Sequence, residues 1–229
     1  MSTPPIDVVV FDVLGTLVDE PGGLRAAIEL AAPGRDEGTL TELVGRWQAH
    51  VEREQRRIVT GDRPFAPSEV LDAEAAAVVA ESAGITDPGV VATLAGAGQR
   101  HAPWPDSHAG LARLAARFPV VGLSNAGRTA LLALTAYAGL RFHQAVSAQD
   151  AGTYKPAAAV YGLAVRLADR PPERLLMVAA HAWDLRGAQA LGMRTAYVAR
   201  PVGEPPAPGD RFDLHAEDLD DLADQLDRT

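Results

Sequence analysis

The sequence predicts an α/β protein: a Rossmann-like parallel sheet interrupted early by a helical insertion. Three observations carry this. Ile6 to Phe11 is an apolar, β-branched run of the kind found in strands buried on both faces. No comparable strand signal occurs between about residues 20 and 99. From Pro103 onward, short apolar runs alternate with helical periodicity, the pattern of a parallel sheet covered by helices.

The first strand, Val8 to Phe11, ends on Asp12, and Gly15 permits a sharp turn just beyond it. Past Asp19 the pattern becomes helical. Thr39 and Glu42 fit a capping box that opens a helix with Leu43, Trp47, Val51 and Ile58 along one side. Gly61-Asp62-Arg63-Pro64 breaks it. Ser68 is expected to cap a second helix, which contains the alanine-rich Ala73 to Ala80. Asp87-Pro88 supplies a cap and a first-turn proline for a third. In the second half, a helix from Ser107 runs through Leu111 and Leu114 to Phe118, and Val120 to Leu123 is a strand reaching Ser124-Asn125. A helix around Leu131 and Leu134 leads to a short strand near Ala145-Val146. Pro156 begins a helix carrying Val160, Tyr161, Leu163 and Leu167. Leu175 to Val178 is a buried strand, Trp183 to Leu191 a helix and Thr195 to Val198 a strand. Pro201 to Gly209 reads as a surface loop and Leu219 to Leu226 as a closing helix. The expected division is a core of residues 1–18 with 104–229, and a helical cap of residues 19–103.

Composition narrows the function. The chain has 229 residues, 47% of them hydrophobic, enough for a sizeable core. It has no run long and apolar enough for a membrane span and no basic-then-apolar start, so a soluble, cytoplasmic protein is expected. With no cysteine, disulfides, thiol catalysis and thiolate metal sites are excluded. A formal charge of −9 disfavours a nucleic-acid surface but permits a local basic pocket for small anions.

Four polar positions fall at predicted strand ends: Asp12, Ser124-Asn125, Lys155 and Asp184. In an open parallel sheet such ends converge on one crevice, where ligands bind. A carboxylate there can act as nucleophile, dividing a displacement and a hydrolysis into two steps through an ester. A nearby lysine keeps it ionised, and the second carboxylate can orient the lysine or a water.

These residues bear a resemblance to a known superfamily. Phe11-Asp12-Val13-Leu14-Gly15-Thr16-Leu17 resembles the first motif of the haloacid dehalogenase superfamily, which makes Asp12 the implied nucleophile and places Thr16 beside it among the catalytic candidates. Ser124-Asn125 resembles the second motif, Tyr154-Lys155-Pro156 the third, and Val178 to Asp184 the fourth. The resemblance spans nearly the whole chain and implies the superfamily's fold, with the active site between cap and core.

Most members are magnesium phosphatases or phosphomutases, with a second aspartate two residues after the nucleophile as acid/base. Here that position is Leu14, which cannot carry a proton. Their fourth motif commonly supplies a Gly-Asp metal carboxylate, where this chain has Ala179-Ala180. Magnesium favours several hard oxygen ligands, so a metal-dependent phosphatase is disfavoured.

The pattern is similar instead to the (S)-2-haloacid dehalogenase branch. There the aspartate displaces halide with inversion, and water then cleaves the ester, without metal or cofactor. Tyr161, six residues after Lys155, matches a tyrosine of that branch, and Ala182-Trp183-Asp184 is retained from its Ser-Ser-Asn-Ala-Trp-Asp segment. The substrate-side candidates are therefore Leu14, Asn125, Tyr161, Trp183, His181, Gln48 and Arg46.

The chain departs from the branch at three places. Ala179 replaces a serine and His181 an asparagine. Gln48 follows Trp47 where the branch has an arginine that grips halide or carboxylate. Arg46 precedes Trp47, about 100° away around the helix, and Arg53, Arg56 and Arg57 lie one or two turns on. The implied partners are a short 2-haloalkanoic acid and halide. Two alternatives stay open: a phosphatase of small phosphate esters that tolerates an incomplete metal site, and a catalytically impaired binding protein on the same scaffold. Dimers are common among such relatives, and the sequence leaves the oligomeric state open.

Overall fold

A computed structural model describes residues 5–228; the outermost residues of the predicted core, 1–4 and 229, lie outside the described residues. Six strands form one parallel sheet: β1 (Val8–Phe11), β2 (Val120–Ser124), β3 (Gln144–Ser147), β4 (Leu175–Ala179), β5 (Arg194–Val198) and β6 (Leu214–Ala216). Their order across the sheet is β3-β2-β1-β4-β5-β6, so the direction of winding reverses between β1 and β4. At such a reversal neighbouring crossovers leave on opposite faces and open a crevice at the carboxyl ends of the strands. Asp12 follows β1, at the mouth of that crevice.

Alternation along the strands explains why both faces are covered. Val9 and Phe11 pack with Leu176 and Val178 on one face, under α5 (Ser107–Ala115), α6 (Arg128–Tyr137) and α9 (Leu219–Asp227). Val8 and Val10 pack with Leu175 and Met177 on the other, under α7 (Ala158–Ala168) and α8 (Ala182–Ala190). All four residues of β1 are buried, as the β-branched run requires. The short β6 has little apolar sequence of its own. It extends the sheet through its pairing of Ala196 with Leu214 and Val198 with Ala216, which local pattern does not reveal.

Between β1 and β2 come α1 (Glu20–Ala31), α2 (Glu37–Val59), α3 (Ser68–Ala83), α4 (Pro88–Leu94) and a 3-10 turn (Ala97–Gln99). These helices share a separate apolar cluster around Leu24, Leu43, Trp47 and Val79, and meet the sheet layer through Ile58 and Leu71. Among the described residues, no helix is long and apolar enough to cross a membrane.

Two helix starts differ from the sequence expectation. Helix α2 is capped by Asp36, whose carboxylate accepts from the Thr39 N–H (3.0 Å) and from the Thr39 hydroxyl (2.7 Å). Thr39 is thus already inside the helix, and Glu42 pairs with Arg46 instead of closing a box. The acidic acceptor three residues upstream takes the cap because it satisfies the same N–H with a full charge.

Ser68 is the first residue of α3, not its cap, and its hydroxyl accepts from the Gly127 N–H (2.8 Å). Helix α6 has no side-chain cap of its own. Ser68, together with Glu69, which accepts from the Ala130 N–H (3.2 Å), supplies one from across the molecule. Helix α4 is capped by Asp87, which accepts from the Gly89 N–H, as predicted. Strands β2 to β5 and helices α5 to α9 fall where the alternation places them, within a few residues. Phe118, however, lies beyond the end of α5.

Candidate active site

The loop after β1 is held from three sides, which fixes where Asp12 points. The Trp104 indole N–H donates to the Gly15 carbonyl (3.0 Å), the Ser107 hydroxyl to the Leu17 carbonyl (2.7 Å) and Arg200 Nε to the Thr16 carbonyl (2.9 Å). These bonds satisfy carbonyls turned away from the sheet ladder, that of Leu17 also accepting from the Trp104 backbone N–H (3.1 Å). Gly15 sits at φ +76°, and a Cβ there would lie 2.5 Å from His181 Nε2, so both its backbone and its neighbour require glycine.

Two side chains bond Asp12 directly, Thr16 and Lys155, and further polar groups position them. Thr16 Oγ1 donates to Asp12 Oδ2 (2.6 Å) and itself accepts from the Ala180 N–H (2.9 Å), tying the first loop to the end of β4. Lys155 Nζ donates to Asp12 Oδ1 (2.9 Å) and to Asp184 Oδ2 (2.8 Å). Asp184, in the first turn of α8, also accepts from the Tyr161 hydroxyl (2.6 Å). Asn125 Oδ1 accepts from the Lys155 backbone N–H (2.9 Å), setting the chain direction from which the lysine enters. Asn125 Nδ2 meanwhile donates to Gln55 Oε1 of α2 (3.1 Å), linking the sheet layer to the inserted helices.

Asp12, Lys155 and Asp184 are all buried, with Asp184 fully inaccessible. Two carboxylates therefore face one ammonium, leaving a surplus of negative charge in a poorly solvated place. Burial alone would depress the Lys155 pKa, but Asp12 and Asp184 outweigh it and push it up, so the ammonium is held charged. Burial pushes the Asp184 carboxyl up, with Lys155 opposing and Asp12 adding to the rise.

This donor set suits magnesium poorly. The ammonium fills the gap between the two carboxylates, and among the described residues no group of three or more His, Asp or Glu side chains is placed to hold a metal ion.

A cavity of about 610 Å³ opens above Asp12 and Lys155. Its wall includes Leu14, Trp47, Val51 and Trp183, with Gln48, Asn125 and His181 as polar groups. Leu14, Asn125, Trp183, His181 and Gln48, all expected on the substrate side, line this one cavity. His181 Nε2 lies 3.3 Å from the Leu14 carbonyl, and its ring is 5.9 Å from that of Trp183.

Three other candidates are placed differently. Arg46 is on the solvent side of α2, bonded to Glu42 (2.7 Å), and does not border the cavity, as the helical rotation from Trp47 dictates. Tyr161 is wholly buried beneath Asp184, and neither residue borders the cavity; the tyrosine hydroxyl is spent on the Asp184 carboxylate instead. Its hydroxyl reaches Asp184 because position 187 is glycine: a Cβ there would stand 2.4 Å from it. Ser124 is buried and accepts from the Ala126 N–H (3.1 Å), shaping the turn after β2, with no hydrogen bond to Asp12 or Lys155.

Of the remaining arginines, Arg53 and Arg57 bond Glu54, while Arg56 reaches the cavity mouth already paired with Glu52. Glu20 and Gln55 also border the cavity and had no signal in the sequence. Glu20 lies next to a helix cap, and Gln55 is one polar residue within a strongly charged helix.

The model of the family described as haloacid dehalogenase-like hydrolase matches residues 6–192. The (S)-2-haloacid dehalogenase H-109 of Pseudomonas putida is 30% identical over 200 residues, covering 86% of this chain and 87% of that protein. A crystal structure of an L-2-haloacid dehalogenase superposes with a TM-score of 0.88 at 33% identity, covering 96% of this chain and 99% of the other. The L-2-haloacid dehalogenase of Xanthobacter autotrophicus with chloropropionic acid covalently bound gives a TM-score of 0.84 at 27% identity, covering 97% and 98%.

Proposed function

The chain belongs to the haloacid dehalogenase-like hydrolases, and from that footing we propose that it hydrolyses short 2-haloalkanoic acids to 2-hydroxy acids and halide through an ester on Asp12, without a metal. The observation that carries this reading is the pairing of Asp12 with Lys155 in a cavity where Leu14, two residues on, is apolar. A phosphate ester or alcohol leaving group needs a proton supplied, and Leu14 has none to give. Halide leaves without one.

In the first step an Asp12 oxygen attacks C2 of the substrate, the new C–O bond forms and the carbon–halogen bond breaks, the electron pair leaving with halide. The electrostatics favour this direction. Before attack, Asp12 and Asp184 together outnumber Lys155 in charge; as Asp12 becomes an ester, its negative charge leaves with the halide. What stays behind is the neutral pair of Lys155 and Asp184, held by the Tyr161 hydroxyl. In the second step water attacks the ester carbonyl carbon and the acyl C–O bond breaks; one water proton ends on the departing hydroxyl oxygen, the other is released to solvent, and Asp12 returns to a carboxylate. Asp12 thereby acquires one oxygen from water. His181 and Asn125 border the space from which that water would approach. The inserted helices serve as a cap that shields the cavity from bulk solvent.

The test is halide release from 2-chloropropionate in the presence of EDTA, abolished in Asp12→Asn. A single turnover in 18O-labelled water should place the label in the Asp12 carboxylate, read by mass spectrometry of the peptide containing residue 12. Magnesium-stimulated turnover of p-nitrophenyl phosphate with no halide release from any haloacid would replace this reading with the phosphatase one.

A further inference from the structure

The electrostatics of the cavity pose a problem that the residues so far do not solve. A haloalkanoate is an anion near neutral pH, and it must approach the anionic Asp12. Lys155 is shared by two carboxylates, Arg56 is held by Glu52, and Gln48 carries no charge. Yet the same wall contains a further carboxyl group, Glu20, at the start of α1. Glu20 is half-buried, and among the described residues its carboxyl has no hydrogen-bond or ion-pair partner. If ionised, it would add another negative charge beside Asp12 with no counter-ion.

We propose that Glu20 is a specificity-determining residue of this cavity, which admits a carboxylate-bearing substrate only while its own carboxyl is neutral and able to donate a hydrogen bond. The proposal rests on the haloalkanoate reading above for the identity of that carboxylate.

The surroundings of Glu20 favour the neutral form. Burial pushes its pKa up to about 7, with Asp12 adding to the rise and His181 opposing it. Asp72 of α3 also stands near, and Glu20 in turn raises the Asp72 carboxyl, which burial and Glu69 help push up to about 8. The other charged groups facing this side of the cavity are Lys155, Glu52 and Arg56, and Asp19 is committed to capping α1 through the Gly22 N–H. Helix α4 and the 3-10 turn, both packed on α1, carry no charged side chain, and His101, buried against Gly23 of α1, is pushed down to about 4 by burial and is neutral in this range. The N-terminus of α1 favours the anion, but that contribution is modest against burial beside another carboxylate. Near neutrality the residue is thus poised to exchange a donor O–H for a repelling charge.

The direction of the pH dependence follows. Below about 7 Glu20 is protonated and the anion is accepted; above it the charge returns and affinity falls. Affinity for propionate, an unreactive carboxylate, should weaken by about tenfold per pH unit on the alkaline side, the limiting slope for one required proton. The same limb should appear in KM for 2-chloropropionate, while kcat stays level.

Calorimetric titration with propionate, between about pH 6 and 9, compares the wild type with Glu20→Gln, which is neutral at every pH and keeps a donor. The variant should lack the limb. In 13C NMR, the Glu20 carboxyl signal, assigned by its absence in Glu20→Gln, should titrate near neutrality and shift to higher pH when propionate is added, because the ligand selects the protonated form. An alkaline limb that persists in Glu20→Gln would place the required proton on another group, such as Asp72, and overturn the proposal, as would propionate failing to bind at any pH. If no haloacid is turned over but the Glu20-dependent limb is present, the dehalogenase reading falls and this inference stands. If haloacids are turned over and the limb is absent, the reverse holds.

Discussion

Replacing Lys155 by methionine separates the structural from the chemical role of the central ion cluster. The wild-type ammonium makes hydrogen bonds of 2.9 and 2.8 Å to two buried carboxylates. Losing one partner from a buried ion pair typically costs about 3–5 kcal/mol. An upper bound per carboxylate comes from its own escape route: at pH 7.5, protonating an aspartate whose ordinary pKa is about 3.9 costs about 5 kcal/mol, after which the group is neutral. Asp184 is the one expected to take that route, because burial already pushes its carboxyl up and only Lys155 and the Tyr161 hydroxyl resist.

The sign of the pH effect then follows. A group whose folded-state pKa lies above its unfolded value contributes stability at low pH and loses it as pH rises through the folded value. Without Lys155 that value climbs further, so acidification should rescue the variant relative to wild type. Urea unfolding at several pH values between about 6 and 8 should show a deficit of about 3–5 kcal/mol at the alkaline end, shrinking by up to about 1.4 kcal/mol per pH unit on acidification. A deficit below about 1 kcal/mol, or one that does not change with pH, would refute the account of two carboxylates dependent on one ammonium.

The companion substitution Asp12→Asn should behave oppositely, eliminating turnover while leaving urea stability unchanged or raised by about 1 kcal/mol, since it removes the surplus charge and keeps the Lys155–Asp184 pair. Tyr161→Phe deletes a donor to a buried carboxylate and should cost about 1.5–3 kcal/mol of stability. Because Tyr161 stays clear of the cavity, the same variant should lower kcat with little change in KM. Ser68→Ala should cost about 1 kcal/mol by removing the acceptor for the Gly127 N–H at the start of α6. Hydrogen exchange should show the loss at the first turn of α6, not at the start of α3.

How much of the site can be read from residues alone depends on whether a position is set by the strand it follows or by a neighbour far along the chain. Asp12 follows β1 and Asp184 opens the helix after β4, and in a parallel sheet such ends must meet; Lys155 reaches them from the loop between β3 and α7. Leu14, His181 and Trp183 are within a few residues of those ends, and Asn125 directly follows β2, so all are brought along. Tyr161 and Ser124 occupy the expected elements. Their facing is decided by packing: Gly187 leaves room for the tyrosine hydroxyl beneath Asp184, and the serine hydroxyl is used by the turn after β2.

The inserted helices are less legible. Two residues, about 200° around the helix, separate a cavity residue such as Gln48 from a solvent residue such as Arg46, and either carries polar sequence. Glu20, Gln55 and Arg56 border the cavity only because α1 and α2 lie over the sheet at a particular angle.

By itself, then, the amino-acid order determined the α/β class, the buried first strand and the convergence of one lysine with two carboxylates. Each of these follows from hydrophobic period and from the geometry of parallel strands. Only the tertiary structure decided that Ser68 caps a helix sixty residues away, that β6 joins the sheet and that Glu20 looks onto Asp12. Those outcomes depend on which surfaces the inserted helices bury, and burial is a property of the packed whole that no local pattern encodes.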